Sequence, residues 1–599
     1  MANTGEEEAD GKLSQILRKG SKTRNKKDGP EGDVASPDFE EILELVGSQG
    51  LFQKRLLYGI LCPISILSPF LAYGSVFLWD IPQHWCHLPN GEEGNGSGMG
   101  FEEWGNYSIS YGEDGIPNEC EMLEFNEKSF ENRTTSCKFG WDYDKTDYSS
   151  TIPSQYDWVC EREHYATDCF TYYGFGAAVG TAVFGTFADK YGRKLTFFLG
   201  CFLDLLFNIS SLFLAHEFTV YKILMILRGF ATGAQINVYY LLSAEVSGTE
   251  YRAWIYAITW MVWVGGNCLL PFVAMVCRDW FIFGWVCAIP GIIVFGFYPF
   301  VYESPRWLVS KGEEEKAVKI LVEIAKQNGK NEEGLIETKR KVEGMVMQLG
   351  IKLKNEKETN RKKNSKKDGI WTLFTNRRLA SNFWMLAIAL SMNYLLYDVL
   401  TLNSTKMAGN RFLNYFYLGL IELPGGWVGG KLVDLTGRRW TQVGFFFVCA
   451  LFCLLCSVFV MYPDWNWVVV LGAVGVKFAV TVTGLVGSIQ ATEIFPTPLR
   501  STGTGLATTV ASVAGVLGPY MVYTGTFHPS LPYGILFICS MLGVVAASFL
   551  PETFQQNLLE TVEEADEFSK QHPFWSYLPN YRSKKEGNVH CDNLRESKL

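Results

Sequence analysis

GTFADKYGRK at residues 185–194 is answered by GKLVDLTGRR at residues 430–439, 245 positions later. Gly185, Asp189, Gly192, Arg193 and Lys194 match Gly430, Asp434, Gly437, Arg438 and Arg439. Each stretch is a short charged turn between two long apolar runs. The echo continues downstream. Glu245 and Arg252 in AEVSGTEYR match Glu493 and Arg500 in TEIFPTPLR, and Glu303 in YESPRWL matches Glu552 in LPETFQQNL. Three landmarks recurring at one period indicate a duplicated unit.

The apolar runs around those landmarks are membrane-length. Leu56 to Trp79 contains no charged residue over 24 positions, enough at ~1.5 Å per residue to cross a hydrocarbon layer of about 30 Å. Twelve such runs fall near 56–79, 166–187, 195–216, 219–242, 253–276, 281–301, 379–402, 411–433, 441–462, 466–490, 503–526 and 530–550. A large soluble protein does not supply twelve of them. The expected fold is an all-α membrane protein of two pseudo-symmetric six-helix halves, the sequence trace of a carrier that rocks one half against the other.

Charge orients the chain. Residues 302–378 carry 19 Lys and Arg against 12 acids, whereas residues 80–164 carry 5 against 18. The positive-inside rule puts the first segment in the cytoplasm and the second outside. The expected organisation is a cytoplasmic tail (1–50), a first bundle (51–301) containing an outer loop (80–164), a cytoplasmic loop (302–378), a second bundle (379–550) and a cytoplasmic tail (551–599). No cleavable leader is expected in the polar first 38 residues, so both termini are read as cytoplasmic. The net charge of −9 owes much to the acidic outer loop and is no sign of nucleic-acid binding.

Four of the 15 cysteines, Cys86, Cys120, Cys137 and Cys160, lie in that outer loop. An even number in an oxidising setting reads as two disulfides, with three pairings open. No C-x-x-C pair occurs among these four to support a metal site. Asn95, Asn106 and Asn132 begin N-x-S/T triplets there and are candidate glycan sites, while Asn208 lies inside a span. In the cytoplasmic loop, residues 313–328 predict a helix with Val318, Leu321, Ile324 and Ala325 on one face, lying under the bundle at the membrane surface. The basic run Arg361–Lys367 reads as a solvated linker, and the tail beyond Phe568 as disordered.

The repeated turn has a physical rationale. Glycine lets two helix ends reverse closely, and the acid and basic residues then pair with neighbouring helix ends, as a latch at the inner mouth would. These residues carry a resemblance. The chain resembles the major facilitator superfamily, and within it the organic ion transporters of solute carrier family 22, over residues 50–565. The stretches concerned are WDYDKTDYSSTIPSQYDWVC (141–160), GTFADKYGRK (185–194), ESPRWL (303–308), LIELPGG (420–426), TEIFPTPLRSTG (492–503) and PETFQQNLLETVEEA (551–565). The resemblance implies alternating access through a central cavity, with organic cations, zwitterions such as carnitine, or organic anions as cargo. By motif, it assigns cytoplasmic-gate roles to Asp189, Arg193, Glu245, Arg252, Glu303, Arg306, Asp434, Arg438, Glu493 and Arg500. Family analogy also raises homo-oligomerisation through the outer cap; the sequence leaves the oligomeric state open.

Charges inside spans are costly, about 2.5–3.5 kcal/mol each on insertion scales, and so mark function. Glu422, half-way along span 8, is the foremost candidate to meet a positive charge on the cargo; pairing with Lys477 of span 10 is the alternative. Asp398 in span 7 lies beside Tyr394 and Tyr397, aromatic faces suited to a bulky ammonium. Tyr172, Tyr173, Tyr239, Tyr240, Trp260 and Trp263 are further candidate lining residues, and Asp204 in span 3 carries little weight. The family's polyspecific cation carriers have an acid in helix 11 and its anion and carnitine carriers a base; this chain has Ser512. Lys477 resembles the base of carnitine-type members. The interval from Arg228 to Glu245 is about three residues short for the family.

The expected function is polyspecific transport of organic cations, zwitterions included, down the electrochemical gradient across the plasma membrane. An organic-anion or carnitine-type carrier coupled to sodium or exchange is the alternative, and a non-transporting receptor of the same fold is a third reading. The sequence has no G-x-x-x-x-G-K-[ST] loop, no H-E-x-x-H and no paired nucleophile and base. No enzymatic activity, metal or cofactor is expected; the partners are a small-molecule substrate and membrane lipids.

Overall fold

The computed structural model describes residues 39–87, 109–111, 117–124, 133–363, 370–496 and 499–554. Among the described residues, twelve helical segments run in two groups of six. Spans 1 to 6 are Leu51–Leu78, His164–Tyr191, Arg193–Phe213, Phe218–Glu245, Thr249–Cys277 and Trp280–Gly296. Span 7 is Arg377–Asn403, span 8 the broken pair Arg411–Leu420 and Glu422–Thr436, and span 9 Arg438–Phe459. Span 10 is Asn466–Ile494, span 11 the pair Arg500–Gly515 and Gly518–Tyr523, and span 12 Leu531–Phe549. Among the described residues, eight helices are long and apolar enough to cross a membrane on composition alone. Spans 2, 4 and 8 fall short because glycine and polar residues dilute them, and span 6 because it has only 17 residues.

Packing repeats the duplication seen in the sequence. Spans 2, 3 and 4 pack together as spans 8, 9 and 10 do. Span 1 lies on span 5 as span 7 lies on span 11, and span 6 lies on span 3 as span 12 lies on span 9. The halves meet along two seams, span 2 against span 11 and span 5 against span 8. Burying one stripe of each helix against such neighbours leaves large apolar side chains facing outward, Phe202, Trp254, Ile292, Trp427, Leu451 and Ile538 among them. An outward apolar belt is stable only in lipid.

At one end of the bundle, between spans 1 and 2, sits a small cap of five short strands. β1 (His84–Cys86) pairs antiparallel with β5 (Trp141–Tyr143); β3 (Pro117–Glu124) lies between β2 (Ile109–Tyr111) and β4 (Arg133–Ser136). Disulfides Cys86–Cys137 and Cys120–Cys160 staple it. Of the three pairings open to the sequence, the interleaved one is formed. Asn95, Asn106 and Asn132 lie outside the described residues, as does the chain beyond Phe554.

The opposite, loop end carries a helical layer. Glu314–Gln327 forms with Ala317, Val318, Leu321, Ile324 and Ala325 buried, the face read from the sequence. The face packs on the helix Phe39–Val46 and the long helix Glu332–Lys363, through Ile42, Leu43, Val342 and Val346, in one apolar cluster with Phe52, Leu56 and Leu57 of span 1. Residues 39–46 of the tail, amphipathic with Phe39, Ile42, Leu43 and Val46 buried and Leu45 partly so, supply the protein surface that the helix needs. Of the basic run, residues 364–367 lie outside the described part.

Candidate functional site

The duplicated turn folds the same way twice. Span 2 ends at Gly192 with φ +111°, and span 8 ends at Gly437 with φ +85°, a region costly for any residue with a Cβ. A Cβ at Gly192 would collide with the Glu303 carboxylate; at Gly437 it would lie 2.7 Å from Glu552 Oε2. Glycine is therefore needed for both conformation and space. Beyond it, the first amides of the next span point at that carboxylate. Arg193 and Lys194 N–H donate to Glu303 Oε1 at 2.9 and 3.2 Å, and Arg438 and Arg439 N–H donate to Glu552 at 2.8 and 3.1 Å. An acid at a helix N-terminus satisfies orphan donors and complements the helix dipole, typically by ~0.3–1 kcal/mol and more when half-buried.

The arginine side chains complete the cluster. Arg193 forks onto Glu245 at 3.3 Å and reaches Asp189 at 2.9 Å. Arg438 forks onto Glu493 at 3.2 and 3.3 Å, with Asp434 at 3.9 Å. Of the expected gate residues, Asp189, Arg193, Glu245 and Glu303 thus come together in the first half, and Asp434, Arg438 and Glu493 in the second. Each cluster fastens spans 2, 3, 4 and the segment after span 6, or their counterparts, into one unit. Glu552, matched to Glu303 in sequence, belongs to the second cluster.

Arg252 caps the C-terminus of span 4, donating Nε–H to the carbonyls of Ala244 at 2.7 Å and Ser247 at 2.9 Å. Its other nitrogen meets Glu40 at 2.6 Å, and Glu40 also lies 3.6 Å from Arg306. Glu40, in the amphipathic tail helix, was not singled out by sequence reasoning; its acidic place in the first turn before a buried face was the available signal. Arg500 opens span 11.

The contacts that join the halves sit at the cap end. Arg411, at the start of span 8, pairs with Asp80 after span 1 at 2.8 Å and with Asp147 of the cap at 3.2 Å. Tyr148 O–H donates to Asp80 at 3.0 Å, and Phe77 stacks on Phe412 with centroids 5.6 Å apart. Tyr415 O–H donates to Asn267 of span 5 at 3.0 Å, and Tyr520 O–H of span 11 to Asp168 of span 2 at 2.5 Å. Burial raises the Asp80 carboxyl above the usual carboxylate range, with Arg411 pulling it back down. The cap end is bolted across the two halves.

Between these ends lie the charges of the spans. Pro424 cannot donate to the Leu420 carbonyl and its ring clashes there, so span 8 breaks just before Glu422. Lys477 meets Glu422 Oε1 at 3.3 Å, donates to Thr401 Oγ1 at 2.7 Å, and stands 3.1 Å from the centroid of the Tyr397 ring. Tyr397 O–H donates to the same Glu422 oxygen at 2.8 Å, and Oε2 is buried with no hydrogen bond. The pair with Lys477, one of the two roles read for Glu422 from the sequence, is formed. A second pair, missed in sequence, holds the first half: Arg228 of span 4 lies 3.6 Å from Asp204, over the Tyr173 ring, and donates to the Leu71 carbonyl at 2.6 Å. Its position in span 4 mirrors that of Lys477 in span 10, a signal available in the repeat.

Asp398 is different. Its carboxylate makes no hydrogen bond or ion pair among the described residues and is half-buried, facing the Gly515 backbone of span 11: a Cβ there would lie 3.3 Å from Oδ2. Tyr394 is 37% exposed one turn away. Ser512 donates its hydroxyl to the Thr508 carbonyl at 3.0 Å, one turn from Gly515. Trp260 and Trp263 stack at 5.0 Å, Trp263 meeting Tyr73; Tyr172 lies under Lys222. The side chains of Tyr239 and Tyr240 lie outside the described part. Asp204, Asp398 and Glu422 against Arg228 and Lys477 leave one net negative charge in the interior.

A profile of the family described as "Sugar (and other) transporter" matches residues 130–565. The chain belongs to that family. Its relatives extend over most of both chains. Organic cation transporter 1 of Caenorhabditis elegans is 29% identical over 540 residues, 89% of each chain. The beta-alanine transporter of Drosophila melanogaster is 26% identical over 557 residues, and organic cation/carnitine transporter 2 of Homo sapiens 25% over 549, covering 88% of this chain in each case and 89% and 94% of theirs. In architecture, the chain is similar to the proton:xylose symporter XylE, with a TM-score of 0.51 at 19% identity over 68% of this chain and 90% of that one. The resemblance to the organic ion transporters of solute carrier family 22 within the major facilitator superfamily therefore holds. This family member is a multi-pass membrane transporter of small organic solutes and not an enzyme.

Proposed function

We propose that this transporter carries organic cations by alternating access, with Asp398 as the counter-ion of the cargo and the membrane potential as the driving force. The observation that carries the reading is Asp398: an interior carboxylate with no hydrogen bond or close ion pair among the described residues, Lys477 acting on it only at longer range, beside Tyr394 and Tyr397 and against the seam of span 11. An ammonium supplies the missing charge, and each cation–π contact adds ~0.5–2 kcal/mol. The similarity to organic cation transporters supports the same class. A monovalent cation gains about 2.3 kcal/mol per 100 mV, roughly 50-fold accumulation with no coupled ion.

The cap-end bolt and the two self-contained clusters suit a rocking mechanism. Each half is rigid at the loop end, so the halves can part there while the cap end stays shut. We place the cap outside the cell, both termini inside, and the protein in the plasma membrane, following the lysine and arginine asymmetry. A zwitterion carrier is the second reading, favoured by Lys477 beside Glu422 and by the relatives named for carnitine and beta-alanine.

Uptake of a labelled tetraalkylammonium by cells expressing the chain tests the reading. Depolarisation and Asp398→Asn should each lower uptake about tenfold or more. Unchanged uptake in both would remove the basis of the assignment.

A further inference from the structure

We propose that Glu422 sets charge selectivity by masking Lys477, so that the interior accepts a cation and turns away cargo bearing a carboxylate. This rests on Asp398 being the cargo's counter-ion. An ammonium group has three N–H donors. Those of Lys477 have three partners at hand: Thr401 Oγ1 at 2.7 Å, Glu422 Oε1 at 3.3 Å and the face of the Tyr397 ring at 3.1 Å. Thr401 is itself held, donating to the Tyr397 carbonyl at 2.8 Å, and Tyr397 is held by its hydroxyl on Glu422 at 2.8 Å. The Lys477 and Glu422 side chains are each only 2% exposed. A carboxylate on the cargo would have to displace Glu422 to reach that ammonium, leaving one buried charge for another.

The neighbourhood is compact. Tyr397, Asp398 and Thr401 lie within about one turn of span 7, so the masked base and the unpaired acid are held by the same stretch of helix. With Glu422 ionised, Lys477 is cancelled and Asp398 sets the sign. With Glu422 neutral, Lys477 is uncovered, the local sum falls to zero, and the neighbourhood presents a plus and a minus together. That is the complement of a betaine-type zwitterion.

The experiment measures uptake of two labelled probes, a tetraalkylammonium and a trimethylammonium carboxylate, by the full-length chain in cells, with surface amount quantified by biotinylation. In Glu422→Gln the ratio of ammonium to betaine uptake should fall by about tenfold or more, an order typical of one unscreened charge. In Glu422→Gln/Lys477→Gln the ratio should return to within about twofold of the parent, because the interior again carries one net negative charge. The double variant adds no unpaired charge to the interior and so remains informative if the single one fails to reach the surface. If the double variant loses ammonium uptake, Glu422 is itself the counter-ion and the proposal fails. If both variants lower the two uptakes alike with the ratio unchanged, the pair is structural and the proposal fails as well. Failure of the underlying reading shows separately, as full ammonium uptake in Asp398→Asn whatever the Glu422 variants do.

Discussion

Arg411→Ala should unbolt the cap end. In the structure, Arg411 holds Asp80 at 2.8 Å and Asp147 at 3.2 Å, with side-chain exposures of 18%, 5% and 40%. The Asp147 contact is solvated and contributes about 0–1 kcal/mol. The Asp80 contact is nearly buried. Its loss leaves a buried carboxylate served only by the neutral hydroxyls of Tyr148 and Thr405, and a charge-assisted bond of this kind is worth about 1.5–3 kcal/mol. Because Arg411 and Asp80 belong to opposite halves, that energy stabilises only the cap-closed state. A net loss of about 2–3 kcal/mol moves the equilibrium toward the cap-open state by roughly 30- to 150-fold. A reporter cysteine at Tyr73, beneath the bolt, would be alkylated by a membrane-impermeant reagent from the cap side at a rate proportional to the open fraction. The same variants without the reporter correct for native thiols. We expect at least about tenfold faster labelling in Arg411→Ala and an intermediate rate in Arg411→Lys. A rate within about twofold of the parent, with protein at the surface, would refute the bolt.

Three further outcomes follow from the geometry. Gly437→Ala meets a positive φ and the Glu552 carboxylate together, so it should cost about 3 kcal/mol in thermal unfolding, whereas Gly430→Ala, with nothing within 4 Å of the new Cβ, should be near neutral; equal melting temperatures would refute the cluster's role. Glu40→Gln removes the acid shared by Arg252 and Arg306, and at this partial exposure should cost about 0.5–1.5 kcal/mol while speeding proteolysis before span 1; an unchanged cleavage rate would mean the tail helix is held by its apolar face alone. Peptide mapping without reduction should yield Cys86 joined to Cys137 and Cys120 to Cys160, and serine at Cys86 should lower surface expression, since losing a cap disulfide typically costs about 2–5 kcal/mol.

Long apolar runs announced the twelve crossings because lipid demands them locally, residue by residue. The matched acids and arginines marked the turn clusters for a similar reason: Gly192 with Arg193, and Gly437 with Arg438, adjoin in the chain, and the repeat advertised their importance. Glu303 and Glu552 were legible as landmarks but not as helix caps, since each reaches its amides from over 100 residues away. Arg228 was overlooked because a lone arginine in an apolar run has no partner in its own span. Arg411 and Asp80, 331 positions apart, carry no mutual signal at all.

Hydrophobicity and periodicity are properties of short stretches, so class, duplication, cap and candidate charges could be read from the chain alone. Partnership is a matter of ångströms between distant segments. Which base lay beside Glu422, whether the arginines joined the halves or braced each one, and which cysteines met were decided by the packing of spans 7, 8 and 10, of spans 2 to 4, and of the cap strands. Coulomb attraction and desolvation act over a few ångströms in a low-dielectric interior, and only tertiary structure sets those separations.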